Sequence, residues 1–129
     1  MKYETHDSIK FCIPDTWLVE SGLTETTLTG DCCFVSEDAE QVLDIQLISS
    51  PVRSPGVRWF YRENMLPILT AFVSHQSLPP IDIHSPPQRP HQYQVRDGFH
   101  RYYASVAAGF RKIPIRILEY FDINTLLAE

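Results

Sequence analysis

Between Leu78 and Leu118 the spacing of apolar residues changes from alternation to a helical period and back, with punctuation at each change. Pro79-Pro80 precede Ile81-Asp82-Ile83, whose alternation predicts a strand. A proline-rich loop follows, with Ser85-Pro86-Pro87 and Pro90, and then Tyr93-Gln94-Val95 as a second strand. Asp97-Gly98 is a turn pair. Residues 101–108 are alanine-rich and suit a helix closed by Gly109. Residues 113–118 return to a strand. The order strand, loop, strand, tight turn, helix, strand predicts an α+β fold, a small mixed sheet with packed helices.

The preceding part of the chain is punctuated less sharply. Residues 9–13 alternate like a short strand, and residues 14–20 open with proline and an acid, as a short helix ending near Gly22 would. Residues 32–36 and 42–48 read as two further strands. Residues 58–73 place Trp59, Met65, Ile68, Leu69 and Phe72 at helical spacings, which predicts an amphipathic helix. Pro67 removes one backbone donor from it and should kink or restart it.

With 129 residues, 43% hydrophobic and 21% charged, the chain suits one domain, 1–129, with a real core. No apolar run approaches the ~20 residues of a membrane helix. Met1-Lys2-Tyr3-Glu4 does not lead into the apolar stretch of a secretory signal, so the expected location is cytoplasmic, with no membrane partner. Cys12, Cys32 and Cys33 include an adjacent pair and no CxxC spacing. They support neither a disulfide framework nor a zinc knuckle, and reduced thiols in or near the core are expected.

The net charge of −5 conceals an asymmetry. Residues 1–50 carry two bases against ten acids, and residues 51–129 carry nine bases against six acids. A phosphate-bearing ligand would meet the second half, unless the acidic half is simply a solvated face. Nonspecific duplex binding favours a larger basic excess, so nucleic acid is the weaker partner class.

The Asp97-Gly98 turn carries the chemistry. A strand passing directly into a helix presents unpaired amides at the helix N-terminus, where the dipole favours an anion. Gly98 permits a left-handed conformation and close approach to the backbone, with the amide of Phe99 next in line. Arg101 adds a bidentate fork, and His100 a ring donor or acid–base group. The alternative is that His100 and Arg101 only cap and salt-bridge the helix.

Leu78-Pro79-Pro80-Ile81-Asp82-Ile83, then Asp97-Gly98-Phe99-His100-Arg101-Tyr102-Tyr103-Ala104, then Ile113-Pro114-Ile115 resembles the ParB/sulfiredoxin superfamily. The resemblance covers about residues 65–118 and leaves the acidic residues 1–50 unmatched. It implies that the turn binds nucleotide phosphates, of ATP or CTP. Phe99 stands where sulfiredoxins keep their nucleophilic cysteine, which argues against sulfinic acid reduction. The chain ends eleven residues past Leu118, so the DNA-binding helices and dimerisation region of partition proteins are not expected. The Asp-Gly-x-His-Arg turn is closest to the free serine kinase branch.

On that resemblance Asp97 would hold Mg²⁺ or accept a proton, and His100 would assist, although an aspartate before glycine also closes turns by itself. Arg53, Glu63 and Ser105 are further candidate contacts to phosphate or substrate. Their plain alternatives are a loop arginine, a surface charge and a small packing residue. Tyr102 and Tyr103 read as core and rim of the helix. His75, His84 and His91 have no metal-site spacing. Three function classes follow. The first is a small nucleotide-dependent phosphotransferase or nucleotide hydrolase, with an unidentified second substrate. The others are a non-catalytic nucleotide-sensing or protein-interaction module, and a DNA-associated or nuclease-like domain.

Overall fold

The computed structural model describes residues 1–24, 32–87 and 92–119. In chain order the elements are β1 (Lys2–Glu4), β2 (Lys10–Cys12), α1 (Asp15–Ser21), β3 (Gln41–Asp44), a 3-10 turn (Ile45–Leu47), β4 (Ile48–Ser49), α2 (Arg62–Ser74), β5 (Ile81–His84), β6 (Tyr93–Asp97), α3 (Phe99–Ala108) and β7 (Lys112–Ile117). This is the α+β architecture that the changes of period predict. His91 and Pro90 lie outside the described residues.

The alternating pair Ile81 and Ile83 is fully buried in β5, the central strand of a five-stranded sheet ordered β3-β7-β5-β6-β4. β6 runs antiparallel to β5 and β7 parallel to it, so α3 carries the chain from one neighbour of β5 to the other. β3 pairs antiparallel with β7, and β4 parallel with β6. β3 and β4 therefore occupy opposite edges although only the 3-10 turn separates them. In a flat five-stranded sheet those edges would lie ~19 Å apart. The four steps from Asp44 to Ile48 span at most ~14 Å. The sheet must curl to bring its edges together.

That curl corrects the single strand expected over residues 42–48. Asp44 accepts a hydrogen bond from the Gln46 amide at 2.9 Å, and the Ile45 amide donates to the Arg111 carbonyl at 2.9 Å. Together they turn the chain out of one edge and into the other. Residues 32–36 form no strand either. The Lys112 amide donates to the Cys32 carbonyl and the Leu78 amide to the Val35 carbonyl, two single bonds to two different segments, which make no ladder. Phe34, stacked on Phe72 at 5.4 Å, anchors the stretch instead.

α2 begins at Arg62 rather than residue 58, and it runs through Pro67 as one helix. Trp59 and Phe60 precede it outside any helix or strand and pack their rings against Tyr103 at 5.5 Å each. Tyr103 and Tyr102 are both fully buried, so neither is a rim residue. Burial pushes the Tyr102 phenol up to about 12 and the Tyr103 phenol higher still, so both stay neutral. Cys12 and Cys32 are exposed and Cys33 is half-buried, contrary to the expected core placement. Cys12 shares β2 with Phe11, and strand alternation sends Phe11 inward and Cys12 out.

The β1–β2 hairpin docks on α3 through an edge-to-face contact of Phe11 with Tyr103 at 4.8 Å. A polar network beside it joins three segments. The Thr5 and Ser50 hydroxyls and the Ser50 amide donate to the Asp7 carboxylate, and the Ser50 hydroxyl lies 2.7 Å from the Tyr102 hydroxyl. The Tyr103 hydroxyl donates to the Pro51 carbonyl at 2.6 Å.

Desolvation alone would raise the Asp7 pKa, but the hydrogen bonds from Ser50 and Thr5 outweigh it and hold the carboxyl at about 2, below its ordinary 3.8. A depressed folded-state pKa stabilises the fold above the unfolded value, and that stability is lost as pH falls through the folded one. The side chain is 37% exposed, so solvent screening reduces the effect to about 1 kcal/mol. Chemical denaturation from pH 7 to pH 2 should show the native chain losing this increment between about pH 4 and 2. Asp7→Asn should lack that step.

Candidate functional site

β6 ends at Asp97 and α3 begins at Phe99, leaving Gly98 as the whole connection. Its φ of 117° is closed to side-chain-bearing residues. A Cβ there would lie 3.0 Å from Ile81 Cγ1 and 3.1 Å from Arg101 Nη2. The strand-to-helix turn is thus packed directly on the central strand and on the arginine one turn into α3. Gly98 gives α3 no side-chain cap. The first intrahelical bond is from the Tyr102 amide to the Gly98 carbonyl at 2.8 Å, so the amides of Phe99, His100 and Arg101 precede the ladder.

These residues face a groove of about 500 Å³ between α2 and α3. Glu63, Asn64, Pro67 and Ile68 of α2 line one side and residues 97–101 the other, with Arg53 and Leu78 completing it. Arg101 keeps only 13% of its side chain exposed, and its Nη2 is 3.7 Å from an Asp97 carboxylate oxygen. Burial lowers its pKa, and Asp97 and Asp82 offset that only in part. Asp82 is already held by Arg116 through two hydrogen bonds of 2.9 and 3.0 Å. The Nε atoms of Arg101 and Arg53 are both buried and have no hydrogen-bond partner among the described residues. The Arg53 guanidinium lies 3.9 Å above the centre of the Phe99 ring.

His100 is buried, and its Nε2 accepts a hydrogen bond from the Tyr61 amide at 3.1 Å. The proton of the neutral ring is therefore on Nδ1. Burial, and then the neighbouring Arg53 charge, lower its pKa, and Glu63 acts the other way. Asp97 is 77% exposed at the mouth, and Glu63 is exposed in the first turn of α2. Of the candidates, Arg53, Glu63, Asp97, Gly98, Phe99, His100 and Arg101 converge on the groove. Ser105 does not. It is fully buried, and its hydroxyl donates to the Arg101 carbonyl at 2.8 Å, a turn back along its own helix.

The donors around the groove suit an anion better than a resident metal. No group of three or more His, Cys, Asp or Glu residues among the described ones is placed to hold a metal ion. Asp97, the carboxylate at the turn, stands beside Arg101. Magnesium usually needs carboxylate help beyond one such oxygen unless phosphates bring the rest. His84 is likewise engaged, with Gln94 Oε1 at 3.2 Å and Arg96 Nη1 at 3.4 Å.

Asn64 and Leu78 are not among the candidate site residues that the sequence offers. Asn64 follows Glu63 on α2, and a shorter predicted helix would have marked it as a first-turn residue. Leu78 is part of the punctuation before β5 and gives no functional signal of its own. No helix among the described residues is long and apolar enough to cross a membrane.

No family model and no curated protein matches the chain. Among solved structures it is similar to the C-terminally truncated chromosome-partitioning protein ParB from Caulobacter crescentus. The form complexed with CTP-gamma-S is 24% identical, over 68% of this chain and 48% of that one, with a TM-score of 0.49. The form complexed to the centromeric parS site is 26% identical, over 67% and 42%, with a TM-score of 0.45. The chain thus spans less than half the length of either.

Two measurements check the geometry of the turn. Gly98→Ala should destabilise the fold by about 1–3 kcal/mol in denaturant, from backbone strain and the contacts with Ile81 and Arg101. In an NMR titration His100 should have a pKa below 6.5, and Arg53→Ala should move it back toward that value. Because the folded ring resists protonation, stability should also fall as pH drops through about 6.5.

Proposed function

We propose that the groove binds the phosphates of a nucleoside triphosphate, ATP or CTP being the class that the sequence resemblance implies. The supporting observation is the pair of arginines whose Nε atoms are buried without partners among the described residues, beside the uncapped start of α3. A charged donor left buried and unpaired costs about 1–3 kcal/mol or more, and such groups need an explanation. A phosphate supplies it. Its oxygens accept from the Arg101 fork and from the amides of Phe99, His100 and Arg101, where the helix dipole adds its favourable end. Gly98 contributes by having no Cβ to hold the anion off.

The reading is one of binding. His100 Nε2 is committed to the Tyr61 amide, which leaves it poorly disposed to take a proton from an attacking group. A single exposed carboxylate, Asp97, stands at the turn, and Mg²⁺ would arrive with the triphosphate rather than wait in the groove. Nucleotide binding without turnover suits a module whose affinity for a protein partner depends on the nucleotide.

Calorimetric titration of the full chain with ATP, CTP and GTP, with and without Mg²⁺, tests the proposal. At least one should bind below millimolar, and Arg101→Ala should weaken it by about 1.5–3 kcal/mol, roughly ten- to a hundredfold. Asp97→Asn should spare most of the affinity. Steady release of phosphate that Asp97→Asn abolishes would show that the protein is an enzyme instead. If no nucleotide binds, or if binding ignores Arg101→Ala, His100 and Arg101 are structural and the domain is an interaction module.

A further inference from the structure

Phe99 carries a side chain that the anion-binding logic of the turn does not use, since that logic needs only its amide. The ring is nevertheless held on several sides. Trp59 lies 5.6 Å away, Phe60 5.9 Å and Tyr103 5.0 Å, centroid to centroid. Its open face carries the Arg53 guanidinium at 3.9 Å. Arg53 belongs to an irregular stretch between Pro51 and Pro55, where an arginine would otherwise sample many rotamers. No acid pairs with it among the ion pairs of the described residues, and its Nε is buried without a partner. What fixes it beside the groove is the ring.

From this stack we infer that Phe99 is a positioning residue. It holds Arg53 as a second anion fork beside the α3 N-terminus, and so suits the groove to a ligand with at least two linked phosphates. This rests on the phosphate-binding reading above. One phosphate at the α3 amides is served by Arg101, and Arg53, reaching the groove from another segment, serves the next. A stacked guanidinium loses little further entropy on binding, because its plane is already oriented and its edge stays free for hydrogen bonds. A lysine at the same position would keep the charge and lose the stack.

The test uses inorganic tripolyphosphate and orthophosphate as probes, titrated calorimetrically into the full chain. Tripolyphosphate should bind at least tenfold more tightly than orthophosphate. Arg53→Ala and Phe99→Leu should each weaken tripolyphosphate by about three- to tenfold, the scale of a cation–π contact. The double variant should be no weaker than Arg53→Ala alone, because the ring acts through the arginine. Phe99→Tyr, which keeps the face, should bind like the native chain. Arg53→Lys should lose most of what Arg53→Ala loses, and it leaves the ring cluster intact should Phe99→Leu not fold.

Additive losses in the double variant, or an Arg53→Lys chain that binds like the native one, would overturn the inference. If Arg101→Ala still weakens binding in that case, only the role of Phe99 fails. If Arg101→Ala has no effect either, or neither probe binds, the phosphate reading of the groove fails with it.

Discussion

The missing Cβ at Gly98 is the constraint on which the rest of the structure turns. Ile81 fills the space where that atom would stand, so the strand-to-helix turn sits in van der Waals contact with the central strand. This contact fixes where α3 starts and which way it leaves the sheet. From there Tyr102 and Tyr103 are carried into the core, Arg101 into the groove and Ser105 back onto its own helix. Fold and groove share one backbone torsion. A larger residue would disturb both together, because the same hypothetical atom also meets Arg101 Nη2.

Around that pivot the polar groups divide into two kinds. Asp7, Thr5, Ser50 and the Tyr102 hydroxyl partner one another, and the Tyr103 hydroxyl donates to the adjacent Pro51 carbonyl. Asp82 and Arg116 likewise partner each other. The arginines of the groove are different, for each keeps a buried Nε without a partner among the described residues. Among the described residues the Ser36 hydroxyl is the one other buried side-chain polar atom without a partner, so two of the three such atoms are guanidinium nitrogens lining one groove. The contrast between the satisfied and the open sets supports the assignment of the groove to an anion more than any single residue in it does.

Much of this was legible in the sequence where local rules decide. Ile81 and Ile83, the Asp97-Gly98 pair, the alanine-rich helix and Gly109 each carry their own signal, and β5, β6, α3 and β7 follow in the order read from them. Legibility failed where a residue's partner is distant in the chain. Val42 to Ile48 alternates like one strand, yet the curl of the sheet requires a break at Ile45, and no local pattern announces a curl. Trp59 falls inside the helix predicted over residues 58–73, but its ring belongs to the cluster with Tyr103, which tertiary packing chose over helix. Arg53 was legible as a candidate phosphate contact or a loop arginine, but its stack on Phe99 was not, because it joins residues 46 positions apart. Ser105 had the right helix face by spacing and the wrong surroundings by burial.

The charges of the groove sharpen the argument about affinity. Arg53 and Arg101 are opposed by Glu63 and Asp97, so the formal charge of its lining is close to balanced. Attraction from net charge is therefore not what would hold an anion there. The two acids are exposed, and solvent and salt screen them, whereas the arginine nitrogens and the helix amides lie where the local dielectric is lower and their interactions are stronger. Selectivity for an anion then comes from which charges are buried rather than from how many there are. Orientation does the same work at each level: the turn orients the amides, the Phe99 ring orients Arg53, and the Tyr61 amide orients His100. On the proposed phosphate-binding reading, a groove built this way would discriminate by the shape and spacing of the ligand's oxygens, as the acidic composition of the whole chain would not suggest.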